Sequence, residues 1–442
     1  MSRREKMRAR PPVDLTIEGL SHEGRGIARQ DGKLIFVEGA LPGESVRATF
    51  TATHKKYDEA RTVEVLSASP DRVEPPCAHF SICGGCSLQH LARPVQIAFK
   101  QQVLAEQLRH FGGIEPEQWL PPLVDAESAY RRKARLGVKF VIKKDALLVG
   151  FREKQSNFLA DIQSCTVLDR RIGTELLALR ELISGLETRS EIPQVEVAAS
   201  DTGVALVFRH MVPLPASDVQ ALAGFCAARD WHLYLQPGGN DSVHRVQPVE
   251  GEDRLFYELP DFGLKLGFHP MDFTQVNAGI NRRMVKLALD LLDPQAGERV
   301  LDLFSGLGNF TLPLATRAGE VIGVEGVQAM ADRGLENAQR NGLTNVSFYA
   351  QDLTADFSHQ PWAKHGFDRI LIDPPRSGAQ EVVQYLPKFR ARRVVYVSCN
   401  PATLARDAGL MKTGGYRLTQ AGVMDMFPHT THVESIAVFE KK

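Results

Sequence analysis

Between residues 297 and 411 the chain alternates short apolar runs with helix-like stretches, and that rhythm admits few folds. Val300–Phe304 reads as a strand, Ser305-Gly306-Leu307-Gly308-Asn309 as a glycine-rich turn into a helix, and Glu320–Gly326 as a second strand. A helix over Ala329–Asn341 follows, then a strand over Val346–Ala350, another within FDRILIDPPRSG (367–378), and a buried one over Val394–Ser398 ahead of a helix over Thr403–Met411. A last strand is expected over Ser435–Glu440. Strands that alternate with helices in this way build a mostly parallel sheet with helices on its faces. In such sheets chemistry sits in the loops after the strands.

Those loops carry polar residues at telling positions. Glycine at 306 and 308 lets the backbone approach a ligand at a helix start. A full G-x-G-x-x-G dinucleotide pattern is absent, because Thr311 stands where the third glycine belongs; this disfavours an NAD enzyme. Glu325 lies near the end of the second strand, 19 residues after Gly306, placed to accept hydrogen bonds from ribose hydroxyls. Asp352 follows the third strand, within reach of an adenine amino group. Either acid alone reads as a solvated loop carboxylate. Together with the D-x-F-x-G-x-G run they resemble the Rossmann-like fold of S-adenosylmethionine-dependent methyltransferases.

Asp373-Pro374-Pro375-Arg376 ends the next strand, and Arg376 stands where amino-methylating enzymes usually carry a base-stacking aromatic residue. Cys399 then closes a strand at Ser398-Cys399-Asn400-Pro401, where proline stops the ladder and disfavours helix in the residue before it. A thiol beside a methyl donor suits methylation at C5 of a pyrimidine. C5 of uracil becomes nucleophilic when a thiolate adds at C6, and a general base must then remove the C5 proton. Glu434, in FPHTTHVES, is the candidate; the flanking His429 and His432 are alternative bases, expected rather to shape the loop. SCNPATLARD, DPPRSG and FPHTTHVES together resemble the RNA (uracil-C5)-methyltransferase family over about 267–442.

Upstream, LTIEGLSHEGRGIARQDGKLIFVEGALPGESVRATF alternates apolar and polar residues between turn signals. The spacing of Gly24-Arg25-Gly26, Asp31-Gly32-Lys33 and Pro42-Gly43-Glu44 resembles the TRAM domain, an OB-like barrel of RNA-modifying enzymes. Lys55, Lys56 and Arg61 extend its basic character. Cys77, Cys83 and Cys86 then form a C-x5-C-x2-C pattern with Gly84 and Gly85 inside it. Clustered cysteines without a secretion signal point to metal rather than disulfides. Cys165, His79 and His90 are candidate fourth ligands, while Cys226 sits on the apolar face of an expected helix. Zinc and a [4Fe–4S] cluster both suit this set.

An amphipathic helix is expected over 95–111, with Phe99, Val103, Leu104, Leu108 and Phe111 on one face. YRRKARLGVKF (130–140) reads as a strand whose alternate cations Arg131, Lys133 and Arg135, with Arg132 beside them, are RNA-contact candidates. Strands and helices then alternate to about 260.

The chain of 442 residues is thus expected to comprise a basic arm (1–12: Arg3, Arg4, Lys6, Arg8 and Arg10), a barrel (13–70), an α+β middle domain holding the cysteines (71–266) and the catalytic domain (267–442). Balanced charge, 53 basic against 53 acidic side chains, argues against indiscriminate coating of nucleic acid. No run approaches a membrane span, and the basic N-terminus lacks the apolar segment of a secretory signal. A monomer in the cytoplasm is expected.

Within the family, possession of both barrel and cysteine cluster makes the chain look most like the iron–sulfur branch that acts on 23S rRNA. That resemblance implies [4Fe–4S] on Cys77, Cys83, Cys86 and Cys165. It implies S-adenosylmethionine contacts at Gln275, Phe304, Asn309, Glu325, Asp352 and Asp373, with Cys399 as nucleophile and Glu434 as proton acceptor. A uracil in tRNA or at another rRNA site, or a non-catalytic cluster-bearing RNA-binding protein, are the alternative readings.

Overall fold

The computed structural model describes residues 11–441; the expected basic arm lies almost wholly outside them. The described chain forms two compact units. One comprises residues up to 81 with 85–103 and 429–431, and the other holds 82–84, 104–428 and the chain from 432 onward.

In the first unit six strands, β1 (Val13–Thr16), β2 (Gly19–Leu20), β3 (Gly26–Gln30), β4 (Lys33–Glu38), β5 (Ser45–Thr53) and β6 (Tyr57–Ser67), form one sheet in the order β1-β5-β6-β4-β3-β2. Their alternation buries Leu15, Ala28, Ile35, Val37, Val46, Ala48 and Ala60 on one side. Glu44 is fully buried at the turn into β5, where it accepts from Leu41 N at 2.8 Å and pairs with Arg72. Burial alone pushes its carboxyl up, but the Arg72 guanidinium and the Leu41 and Ser69 amides together hold it below the usual range. The helix Arg93–Gln107 is followed by a wider turn over Leu108–Gly112. That turn belongs to the second unit from residue 104, and it leaves Phe111 66% exposed instead of on the expected apolar face.

The second unit begins its sheets with a two-residue strand, β7 (Gln118–Trp119). The middle segment folds as a six-stranded sheet in the order β13-β12-β11-β10-β8-β9: β8 (Lys133–Val141), β9 (Ala146–Gly150), β10 (Gln194–Ala199), β11 (Val204–Arg209), β12 (Trp231–Gln236) and β13 (His244–Gln247). The helix expected near 167–185 is broken into Arg170–Gly173 and Leu176–Ser184. Cys226 is fully buried in the helix Ala216–Ala227, and burial pushes its thiol up to about 12. A hairpin of β14 (Leu255–Leu259) and β15 (Leu264–Phe268) leads to the helix Ala278–Leu292, capped by Asn277. Ala198, Ala205, Val207 and Tyr234 of the middle sheet share one core with that helix and the last sheet.

The last sheet adds β16 (Arg299–Leu303), β17 (Glu320–Glu325), β18 (Val346–Ala350), β19 (Arg369–Ile372), β20 (Arg393–Ser398), β21 (Tyr416–Met424) and β22 (Glu434–Lys441). Its order is β18-β17-β16-β19-β20-β22-β21-β7. β16 to β20 run parallel, and β22 slots antiparallel between β20 and β21. The order reverses at β16, so the crevice of a doubly wound sheet opens beyond the carboxyl ends of β16 and its neighbours.

One packing detail shapes this region. A Cβ added to Gly334, in the helix Gln328–Arg340, would meet three Phe348 ring atoms at 2.4–2.7 Å. One on Gly323 would meet the same ring at 2.8 Å, and one on Gly308 at 3.3 Å. The ring therefore lies on three glycines, one of them in the glycine-rich turn. Asn337, buried in the same helix, donates to Leu307 O at 3.2 Å and accepts from Gly267 N at 2.7 Å.

Candidate active site

Three loops leave the carboxyl ends of adjacent strands. After β16, Phe304 adopts a left-handed φ of 63° and Gly306 and Gly308 have φ of 54° and 98°. Phe304 is thus held in a costly conformation, the kind that recurs at ligand sites. The turn is fastened to β17 because Glu325 accepts from Gly306 N at 3.0 Å and from Val327 N at 3.1 Å. Asn309 and Asn281 exchange reciprocal amide bonds of 2.9 Å, and Tyr257 OH also donates to Asn309. Asp352 is exposed after β18 and accepts from Thr354 N and Oγ1, which hold its carboxyl below the usual range.

Beneath the turn, Asp302 is fully buried and accepts from Thr311 Oγ1. Its other oxygen and the buried Ser305 Oγ have no protein partner. Buried polar atoms without partners are uncommon in proteins, so the cradle fits a polar ligand such as the amino-acid end of a methyl donor. Burial first, then the Asp373 and Glu325 charges, push the Asp302 carboxyl up to about 8.

Asp373 follows β19, where its amide donates to Leu303 O at 3.3 Å. Gln275 Nε2 lies 3.4 Å from Asp373 Oδ2, so these two expected donor contacts meet. Burial pushes Asp373 up to about 7. Phe273, on the same loop as Gln275, is 70% exposed.

Cys399 follows β20, just before the helix Pro401–Thr413, whose N-cap is Asn400 and whose first residue is a proline. Across the ladder Ser398 pairs with Ser435, and Ser435 Oγ donates to Ser398 O at 3.1 Å. This register sets Glu434, 3% exposed, beside the Cys399 turn. Burial, then Glu434 and Asp373, push the Cys399 thiol up to about 11, while Arg376 pulls it down. Burial and Asp373 likewise carry Glu434 well above the carboxylate range, again with Arg376 opposing. The arrangement sets a half-buried thiol beside a buried carboxyl with one cation acting on both, suited to nucleophilic addition followed by proton removal. His432 packs edge-on against Phe427, whereas His429 lies in the other unit, where its carbonyl accepts from Ser87 N and Leu88 N.

The expected cation track is largely engaged within the protein. Arg132 pairs with Asp201, Arg135 with Glu196, Lys133 donates to Asp272 O, and Arg131 Nε donates to Lys133 O. Burial also lowers Lys133 to about 8. Arg132 and Gln275 share the lining of one open pocket with Asp201, Tyr257, Asn281 and Arg282.

Among the described residues, no three His, Cys, Asp or Glu are gathered as metal ligands. Cys83 and Cys165 are half-buried against the same middle-sheet core. Gly84 N donates to Arg152 O at 2.8 Å, so close that a Cβ there would meet the carbonyl at 3.0 Å. Cys77 N donates to Gln89 Oε1 at 3.1 Å. The soft thiol donor set fits an iron–sulfur cluster in its chemistry.

A family model for tRNA (Uracil-5-)-methyltransferase matches residues 261–442, and one for the TRAM domain matches residues 12–63. The 23S rRNA (uracil(1939)-C(5))-methyltransferase RlmD of Alcanivorax borkumensis is 59% identical over 441 residues, covering 100% of this chain and 99% of that protein. Its namesake from Alkalilimnicola ehrlichii is 56% identical over 443 residues, with the same coverage. The crystal structure of Pyrococcus abyssi tRNA (uracil-54, C5)-methyltransferase in complex with S-adenosyl-L-homocysteine covers 97% of this chain and 100% of its own, at 24% identity and a TM-score of 0.73, and has the same fold. With near-complete coverage, identity above half and both models matched, the chain belongs to the family of S-adenosylmethionine-dependent 23S rRNA (uracil-C5)-methyltransferases.

Proposed function

We propose that the chain transfers a methyl group from S-adenosylmethionine to C5 of uracil 1939 in 23S rRNA, with Cys399 as nucleophile and Glu434 as proton acceptor. The observation that carries this reading is the Ser398–Ser435 register, which pairs the thiol with a buried carboxyl beside Asp373. The bound donor supplies an electrophilic methyl on a sulfonium. Gln275, Phe304, Asn309, Glu325, Asp352 and Asp373 hold it: Glu325 takes the ribose hydroxyls, Asp352 the adenine, and Gln275 and Asp373 face the reacting end.

Cys399 Sγ, as thiolate, forms a bond to C6 while the C5–C6 π pair moves to C5, which then bonds to the methyl carbon; the methyl–sulfur bond breaks with its pair left on sulfur, and S-adenosyl-L-homocysteine departs. After transfer, Glu434 takes the C5 proton, the C5–C6 double bond re-forms, and the Cys399 thiolate leaves. Cys399 therefore returns to its starting state. Flipping the uracil into the cleft costs a few kcal/mol of stacking, and the TRAM domain, with Arg131, Arg132, Lys133 and Arg135, holds the RNA that pays it back.

We also propose that Cys77, Cys83, Cys86 and Cys165 hold a [4Fe–4S] cluster that orders the RNA-binding part. Methyl transfer moves no net electrons, so no step runs through it. Its support is the thiol set, and iron and acid-labile sulfide analysis of anaerobically purified protein tests it. We infer a monomer acting in the cytoplasm.

The test of function is mapping of methylated nucleotides in rRNA and tRNA from a deletion strain. Loss of the methyl at uracil 1939 alone is expected, and an unchanged 23S rRNA overturns the assignment. A 5-fluorouridine rRNA fragment should trap a covalent complex that Cys399→Ala cannot form; a complex persisting in that variant removes Cys399 from the mechanism.

A further inference from the structure

Arg376 acts on both Cys399 and Glu434, yet it is an exposed residue on a loop with no regular structure of its own. Something must fix it. Its carbonyl accepts from Asn400 Nδ2 at 3.0 Å and from Thr403 Oγ1 at 3.4 Å, and Arg406 Nη2 donates to Ser377 O at 2.9 Å. Each donor lies on the turn or helix that follows Cys399. At the centre is Asp407, with 0% exposure. One of its oxygens accepts from Ala379 N and from Tyr396 OH, both at 2.7 Å, and the other from Arg406 Nε at 2.8 Å. Tyr396 lies within β20 itself. The approach is close: Gly378 has φ of 81°, and a Cβ there would stand 2.6 Å from Asp407 Oδ2 and 2.9 Å from Thr403 Cβ.

We propose that Asp407 is a positioning residue for the nucleophile: by fastening the loop 376–379 to the strand and helix that carry Cys399, it fixes where the Arg376 guanidinium stands relative to the thiol. The inference rests on the reading of Cys399 as nucleophile. The charged groups acting on that thiol are Glu434, Asp373 and Arg376, two of which disfavour the thiolate. Arg376 opposes them, so its placement sets the fraction of thiolate available. A neutral amide in place of the Asp407 carboxylate loses the Arg406 pairing and weakens the hold on Ala379 N.

The test measures the rate of adduct formation with 5-fluorouridine rRNA against pH for wild type, Asp407→Asn, Arg376→Ala and the double variant. Asp407→Asn should slow the reaction about tenfold near pH 8 and recover the rate at higher pH, because a raised thiol pKa costs about a factor of ten per unit. A purely structural lesion lowers the rate equally at every pH. The Arg376→Ala profile should shift the same way, and the double variant should shift no further than Arg376→Ala alone. An unshifted Asp407→Asn profile, or additive shifts, overturns the inference. Should Asp407→Asn fail to fold, Asn400→Ser keeps a helix cap, drops the bond to Arg376 O, and should shift the profile in the same direction; no shift there also overturns it. Adduct that survives Cys399→Ala would instead overturn the nucleophile reading, so the two failures are distinct.

Discussion

Replacing Gly334 with alanine sets two known effects against each other. Alanine in a helix interior is favoured over glycine by about 1 kcal/mol. Here, however, the added methyl would stand 2.4–2.7 Å from three Phe348 ring atoms, well inside ordinary carbon contact of about 3.5–4.0 Å. The ring has little room to retreat, because the Gly323 and Gly308 backbones lie against it too. Overpacking of this kind costs about 1–3 kcal/mol, and with the ring walled in the upper half of that range applies. The net expectation is a loss of about 1–2 kcal/mol. Hydrogen exchange read by mass spectrometry should show amides of 328–340 opening roughly 5–30-fold more often. Because Asn337 links this helix to Leu307 O, methyl-donor affinity should fall with it. Gly224→Ala is the control: nothing lies within 4 Å of its Cβ, so exchange in 216–227 should slow by about fivefold. Exchange in Gly334→Ala equal to or slower than wild type would refute the argument that the Phe348 ring, not backbone entropy, selects glycine at 334.

Three further expectations concern charge. Glu434→Gln should stall after methyl transfer and accumulate methylated adduct with ordinary RNA; full turnover, followed with labelled donor, would exclude Glu434 as the required base. With Cys399 pushed up to about 11, adduct formation by the wild type should rise about tenfold per pH unit from pH 7 to 9, and a plateau in that window would show that bound RNA resets the thiol. Asp302, held at about 8, binds a proton in the folded state that the unfolded chain releases near pH 4. Stability should therefore fall as pH rises from about 4 through 8, by on the order of a few kcal/mol. Urea unfolding of Asp302→Asn should show a flatter dependence on pH, and parallel curves would contradict the burial argument.

Local structure was legible wherever a single segment determined it. The strand expected at Val346–Ala350 is β18 to the residue, and the strands and turn around Ser305–Asn309 fall within a residue or two. The helix expected over Thr403–Met411 is present but starts two residues earlier, at Pro401, where the Asn400 side chain caps it by accepting from Ala402 N. Long-range choices left no such mark. Nothing near Lys133 announces that its amine turns to Asp272 O, nor that the wider turn at Leu108–Gly112 swings Phe111 outward. Asp407 read as one more polar helix residue, and only the fold reveals that it meets Ala379 and Tyr396.

The insertion of β22 between β20 and β21 bears on how the protein is made. Every other strand of this sheet precedes β22 in the chain, yet β22 occupies an interior place. During synthesis β20 and β21 must wait, with open edges, until residues 434–441 emerge. A nascent chain stopped before that point owns the thiol but not its carboxyl partner, and exposes strand edges prone to pairing with other chains. Assembly of the site and the joining of β20 to β21 are thus one event in time, so a chain acquires its reactive pair only as those two open edges are covered.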